Sequence, residues 1–269
     1  MSCGRAAFSG AAALLATACA SALHEPPPIA ALAPHATGGR SVDDLMHAAD
    51  AAWARRGEPG QVSVAQGLYL DAAADDERRV DGLLGAMRAM TYRIEHEGDA
   101  GLRAHLAEQE VELGQWCQRR APSDPACDYR LALGLGQEAR ELPSTGRDAL
   151  GKMVPLLRRA IAAAPGLDSA GPHRVLALVL MRAPGWPLGP GDPEVALEEA
   201  RTAVHLYPDA PENQLALGEA LGKNDQPGPA RAAYQRALEL AAAAREAGDP
   251  DAEHLFSDAR AGIERYRAR

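Results

Sequence analysis

What most constrains this chain is a regular alternation of helical stretches and breaks. From Ser41 onward, segments with apolar residues at helical spacing are separated by short clusters of Pro, Gly and Asp. No stretch alternates apolar and polar residues between turn signals, so strands are not expected. The pattern predicts helices over Val42–Arg56, Val62–Ala74, Arg78–His96, Ala100–Gln118, Pro125–Glu141 and Thr145–Ala164. It continues through Ala170–Arg182, Pro193–Tyr207, Ala210–Lys223, Pro227–Ala247 and Pro250–Ala268. Local chemistry marks the starts. Asp192-Pro193-Glu194 offers a capping carboxylate, a proline at the first helical position and an acid in the first turn. Free amides and the positive helix end favour each of these. Asp209-Ala210-Pro211-Glu212 and Asp249-Pro250-Asp251 repeat the idea, and Ser41 and Gly57 bracket the first helix. Pro155 sits too deep in its segment for a first turn and predicts a kink, or a later start near Val154.

Composition agrees with helix on helix. Ala fills about a fifth of the 269 positions and Phe only two, which suits close packing of small residues rather than a β-sandwich or barrel. The formal charge is −9, and no basic run exceeds two residues, which argues against nucleic-acid binding.

The helices also repeat. Ala230 and Ala237 flank Tyr234, and Gly218 lies twelve residues before Ala230. Ala196, Ala200, Ala203 and Pro208 give the spacing one unit earlier, Leu157, Ala160 and Pro165 a shorter version, and Ala65, Tyr69 and Ala72 a first copy. This spacing resembles the tetratricopeptide (TPR) repeat, in which small residues let two helices cross closely and an aromatic fills the gap. The resemblance implies an all-α, right-handed TPR-like solenoid over residues 41–269: about five antiparallel helix pairs and a C-terminal capping helix.

The N-terminus reads as an address. Residues 1–18 carry one charge, Arg5, and a short apolar stretch, as a secretory signal does. Leu15-Ala16-Thr17-Ala18-Cys19 resembles a bacterial lipobox, which would make Cys19 a lipid anchor facing the periplasm. Simple cleavage to a soluble periplasmic protein is the alternative. Residues 19–40, with Pro26-Pro27-Pro28 and Gly38-Gly39, lack an amphipathic period and read as a disordered tether. Beyond the leader, Cys117 and Cys127 remain: an even pair in an exported chain suggests a disulfide, and two buried thiols are the alternative.

The segment Ala183-Pro184-Gly185-Trp186-Pro187-Leu188-Gly189-Pro190-Gly191 is longer than a repeat turn needs. No Gly-Lys-Ser/Thr follows, so it is not a phosphate loop. It reads as a rigid insertion with Trp186 packed on the solenoid as a plug, or else held out for a ligand. Together with residues 168–174 and Ala203-Val204-His205-Leu206-Tyr207-Pro208, it is similar to the TRAP-transporter T-component (TatT-like) family of TPR lipoproteins. That resemblance implies a membrane-anchored α-helical protein that binds a periplasmic solute-binding protein, with an oligomer and an apolar ligand passage as further expectations.

No catalytic constellation is present. The eight His show no His-Glu-x-x-His spacing, acid pairs such as Asp75-Asp76 and Glu198-Glu199 read as solvated faces, and no Gly-x-Ser-x-Gly elbow occurs. Neither a metal site nor a cofactor is expected. Function then falls to the inner helices, whose polar residues would hold a protein partner. By repeat position Arg130, Arg174 and Asn213 fall at inner-helix starts, and with Trp186 they are the partner-groove candidates.

Overall fold

The computed structural model describes residues 21–33 and 39–266. Among these, twelve α-helices follow one another: α1 Ile29–Leu32, α2 Val42–Ala54, α3 Gln61–Asp75, α4 Asp81–His96, α5 Ala100–Arg120 and α6 Pro125–Glu141. Then come α7 Gly146–Ala163, α8 Leu167–Arg182, α9 Pro193–Leu206, α10 Pro211–Lys223, α11 Pro227–Glu246 and α12 Ala252–Arg265. No strand occurs among the described residues.

Five pairs, α2–α3 through α10–α11, stack in order, and α12 covers the last. The first helices of successive pairs touch: α4 meets α6, α6 meets α8, α8 meets α10 and α10 meets α12. They form one layer, with α5, α7, α9 and α11 as the second. The small-aromatic spacing shows its physical purpose at Tyr234. A Cβ added at Gly218 of α10 would lie 2.9 Å from the Tyr234 ring, and one at Gly262 of α12 would overlap it more severely. The ring is therefore clamped between two helix backbones that approach because neither carries a side chain there. Tyr69 of α3 sits on Gly85 of α4 in the same way.

Helix starts follow the expected chemistry at four places. Ser41, Asp99, Asp124 and Asp192 accept hydrogen bonds from first-turn amides. Three other acids form ion pairs, and among the described residues only Asp249 of the three also accepts a nearby amide, that of Asp251 at 3.0 Å. Asp209 pairs with Arg236 at 2.8 Å, leaving Ala210 as an uncapped start. Asp249 and Asp251 both face Arg56, and α12 begins only at Ala252. Pro155 produces no break, because α7 runs through it. The carbonyl it leaves without a partner belongs to Gly151, which is exposed, so water can reach it.

The proline-rich segment departs from the tether reading over residues 21–33, which lie against the solenoid. Ala22 is fully buried and its amide donates to Asp148. Trp116 Nε1 donates to the Pro27 carbonyl at 2.8 Å, Arg119 grips Glu25 through both nitrogens, and Ile29 enters the core. Two of these contacts use main-chain groups, the Ala22 amide and the Pro27 carbonyl, which leave no trace in the side-chain pattern. Cys19 and the signal-like residues lie outside the described residues.

Candidate partner-binding groove

The first-helix layer encloses a cavity of about 710 Å³, with residues contributed by α2, α4, α6, α8, α10 and α12. A smaller space of about 410 Å³ shares Arg88, Tyr129, Arg130 and Asp168 with it and extends toward α3 and Asp81. The two ends of the array meet across the opening. Arg56, just past α2, donates to Asp249 at 2.9 Å and Asp251 at 3.1 Å, residues in the turn before α12. The Arg56 side chain is mostly buried, and Gly57 packs beside Pro250. The solenoid thus closes into a ring around its groove.

The groove wall is polar and charged over an apolar floor. Arg88 stacks on Trp53 at 4.5 Å and donates to Tyr69 Oη at 2.9 Å. Tyr69 in turn donates to Asp50, and burial pushes its phenol up to about 12. Arg182 holds Glu219 with two bonds, at 2.8 and 2.6 Å. Glu95 has its carboxyl pushed up by burial, opposed by the nearby His254 and His96. Leu133, Val175, Leu178, Leu215 and Leu255 supply the apolar floor.

The four partner candidates part company here. Arg130 lines both spaces, half-buried, its guanidinium 5.5 Å above the Tyr129 ring and, among the described residues, without a hydrogen bond or ion pair to an acid. Arg174 also lines the groove, but it is committed to Asn213 Oδ1 at 2.8 Å and lies 3.8 Å from Asp168. Asn213 does not face the groove. It is fully buried, and its amide reaches the carbonyls of Ser169, Ala203 and Tyr207, joining the α9–α10 turn to the start of α8. That start is strained. Asp168, Ser169 and Ala170 are left-handed, with φ of 50°, 53° and 64°, a conformation that costs about 1–2 kcal/mol per non-glycine residue. Asn213 and the Tyr129 hydroxyl, which donates to Asp168 at 2.7 Å, hold it in place.

Trp186 is not a plug and lines neither groove space: it is 91% exposed, so of the two readings only the ring held out in solvent fits. Its loop closes on itself, with the Gly191 amide donating to Pro184 and the Asp192 amide to Leu180, so the tip turns away from the core. Glu199, read as part of a solvated face, instead bonds the buried His173 at 2.6 Å. Cys117 and Cys127 are joined as a disulfide with a Cα–Cα distance of 5.3 Å, linking the end of α5 to the start of α6. The sequence offered no metal motif. The structure nevertheless gathers His24, Glu108 and Glu112, whose ligand atoms lie within 4.8 Å of one another. His24 and the two acids lie too far apart in the chain for spacing to reveal them. Only the Glu108/Glu112 separation of four, one turn on one helix face, was visible.

No family profile and no curated protein matches the sequence. Solved structures do. The chain resembles TTC0263, a thermophilic TPR protein of Thermus thermophilus, at TM-score 0.59 and 20% identity, over 81% of this chain and 98% of that one. This is a TPR fold. A MamA fragment (41-end) from Desulfovibrio magneticus RS-1 aligns at TM-score 0.50 and 17% identity, over 75% and 96% of the two chains. A double mutant of RS-1 MamA aligns at 0.50 and 18%, over 79% and 99%. These neighbours indicate no enzyme family.

Proposed function

We propose that this TPR protein is a non-catalytic scaffold that holds a protein partner in its concave groove, displayed at the bacterial cell envelope through Cys19. The observation that carries the reading is Arg130. It stands on the shared wall of both groove spaces with no ion pair to an acid among the described residues. An acidic side chain or terminal carboxylate of an extended polypeptide supplies the missing charge, with the leucine floor taking apolar side chains. An accessory role in a TRAP-type transporter would join a solute-binding protein to the same surface. The charged lining suits such a protein contact better than an apolar small ligand.

The envelope reading rests on the lipobox-like run ending at Cys19 and the Cys117–Cys127 bridge. An anchor at Cys19 would stand only two residues before Ser21, next to the docked Ala22. The solenoid would then sit close against the membrane in one orientation. Two experiments test the proposal. Affinity capture from detergent-solubilised envelopes is expected to recover one protein at stoichiometric level and to lose it with Arg130→Glu. No such protein, or capture indifferent to the charge reversal, contradicts groove binding. Intact mass from the membrane fraction is expected to show an acylated chain starting at Cys19. An unmodified mass starting at Met1 overturns the anchor.

A further inference from the structure

The Trp186 loop and the docked N-terminal segment reach the same edge of the stack. A turn of only three residues joins α7 to α8, so the two run antiparallel, and the start of α7 lies at the same edge as the end of α8. The segment arrives there from the far side. Glu25 and Pro27 lie against Arg119 and Trp116 near the end of α5, which is the opposite edge, because α6 turns back before α7 begins. Ala22 instead donates to Asp148 in the first turn of α7. Followed backward, the chain therefore crosses the stack and reaches Ser21 at the edge that carries the loop. That edge is apolar. Trp186 and Leu188 are both exposed, Leu188 at 62%, and Leu142 in the neighbouring turn after α6 is exposed too. From Ala183 to Gly191 the loop holds no charged residue, and the charges beside it are engaged: Arg182 holds Glu219, and Asp192 caps α9. Its main chain is largely closed as well. Pro184, Pro187 and Pro190 have no amide hydrogen, and the amides of Leu188, Gly189 and Gly191 are bonded within the loop. Such a tip can leave bulk water without stranding a charge or a row of backbone donors.

We infer that the Trp186-Pro187-Leu188 tip seats in the headgroup region of a lipid bilayer, with the Leu142 turn and the start of α7 facing the same surface. Tryptophan suits that depth, since its ring is apolar and its one N–H finds partners among hydrated headgroups. A protein occupant fits less well. A convex tip of nine residues offers far less than the roughly 800 Å² per partner that a stable protein interface takes. The inference rests on the envelope reading of Cys19, which would fix the chain to the membrane two residues before Ser21. The tip adds a second contact at that same edge, so the solenoid stands on its α6–α7 and α8–α9 turns with the groove free for a partner.

The test couples the full chain, carrying Cys3→Ser and with the Cys117–Cys127 bridge intact, through Cys19 to maleimide lipids. The vesicles are phosphatidylcholine with a nitroxide label at shallow depth. Chemical coupling replaces any native acylation, so a failure of the tip and a failure of the anchor read separately. Tryptophan emission is followed. Trp53 is stacked under Arg88 and Trp116 is bonded to Pro27, so the nitroxide is expected to quench about one-third of the emission, the share of Trp186 among three tryptophans. Trp186→Ala is expected to abolish the quenching and Leu188→Glu to reduce it severalfold. Both positions are exposed, so neither change puts folding at risk, and circular dichroism checks this. No quenching in the parent chain, or equal quenching in Trp186→Ala, overturns the inference. So does a dimer in vesicle-free sedimentation that Trp186→Ala dissolves, which would give the tip to a second copy of the chain.

Discussion

Asn213→Ala is expected to destabilise the protein by about 3 kcal/mol without removing any groove contact. The amide of Asn213 has two hydrogens and three carbonyl acceptors, Ser169 at 3.0 Å, Ala203 at 3.1 Å and Tyr207 at 3.2 Å, so one hydrogen is shared. Two neutral bonds contribute about 1 kcal/mol each and the Arg174 bond to Oδ1 about 2, a sum of about 4 kcal/mol. Arg174 keeps the Asp168 carboxylate 3.8 Å away, which recovers about 1 kcal/mol of that sum. The loss should be concentrated where Asn213 acts. The left-handed turn at Asp168–Ala170 loses one of its two side-chain supports, and α8 should fray from its start. Urea unfolding followed by circular dichroism measures the total, with an unchanged slope expected. Hydrogen exchange locates it, with faster exchange at the starts of α8 and α10 than in α2 or α3. A loss below about 0.5 kcal/mol, the size of an ordinary surface substitution, would refute the structural role.

Glu110 is fully buried, bonded through one oxygen to Thr91 at 2.7 Å, and burial raises its pKa to about 8. Its proton is held more tightly folded than unfolded. That stability is complete below the unfolded value of 4.5 and is lost as pH rises toward 8. Glu110→Gln should remove this decline and be the more stable protein at pH 7.5, by on the order of 3 kcal/mol, in melts taken from pH 5 to 8. Gly262→Ala should cost about 2–3 kcal/mol in denaturant unfolding. The Tyr234 ring, already against Gly218, cannot retreat from the added methyl. Arg56→Glu should part the Asp249 and Asp251 contacts and open the ring, read as a larger radius of gyration by solution scattering and weaker partner binding.

Element by element, the fold was largely legible because its signals are local. Helix starts at Pro125 and Pro193 follow from a capping Asp and a proline whose missing amide costs nothing there. The Tyr234 spacing carried the stacking rule, since an aromatic flanked by small residues packs only against a backbone that comes close. What was hidden depends on non-local partners. Glu25 and Pro27 look like linker until Arg119 and Trp116 are placed beside them. Asp249 reads as a cap and Asp251 as a first-turn acid until the ring closes on Arg56. Asn213 was placed by repeat position, but helix phase turns it toward the α9 carbonyls rather than the groove. Trp186 was expected to bury its large surface. Its loop instead satisfies its own main chain and leaves the ring in solvent. Arg130 was legible as a candidate, whereas its lack of an ion pair among the described residues appears only when the neighbouring helices are in place.

The central claim is that the groove, not the loop, is the binding surface. Site-specific photocrosslinking in the native host tests it directly, with the reactive residue placed at Leu178 on the groove floor or at Trp186 on the loop tip. The account predicts a discrete protein adduct from Leu178 that Arg130→Glu abolishes, and none from Trp186. An adduct from Trp186 alone would contradict it and move recognition to the loop.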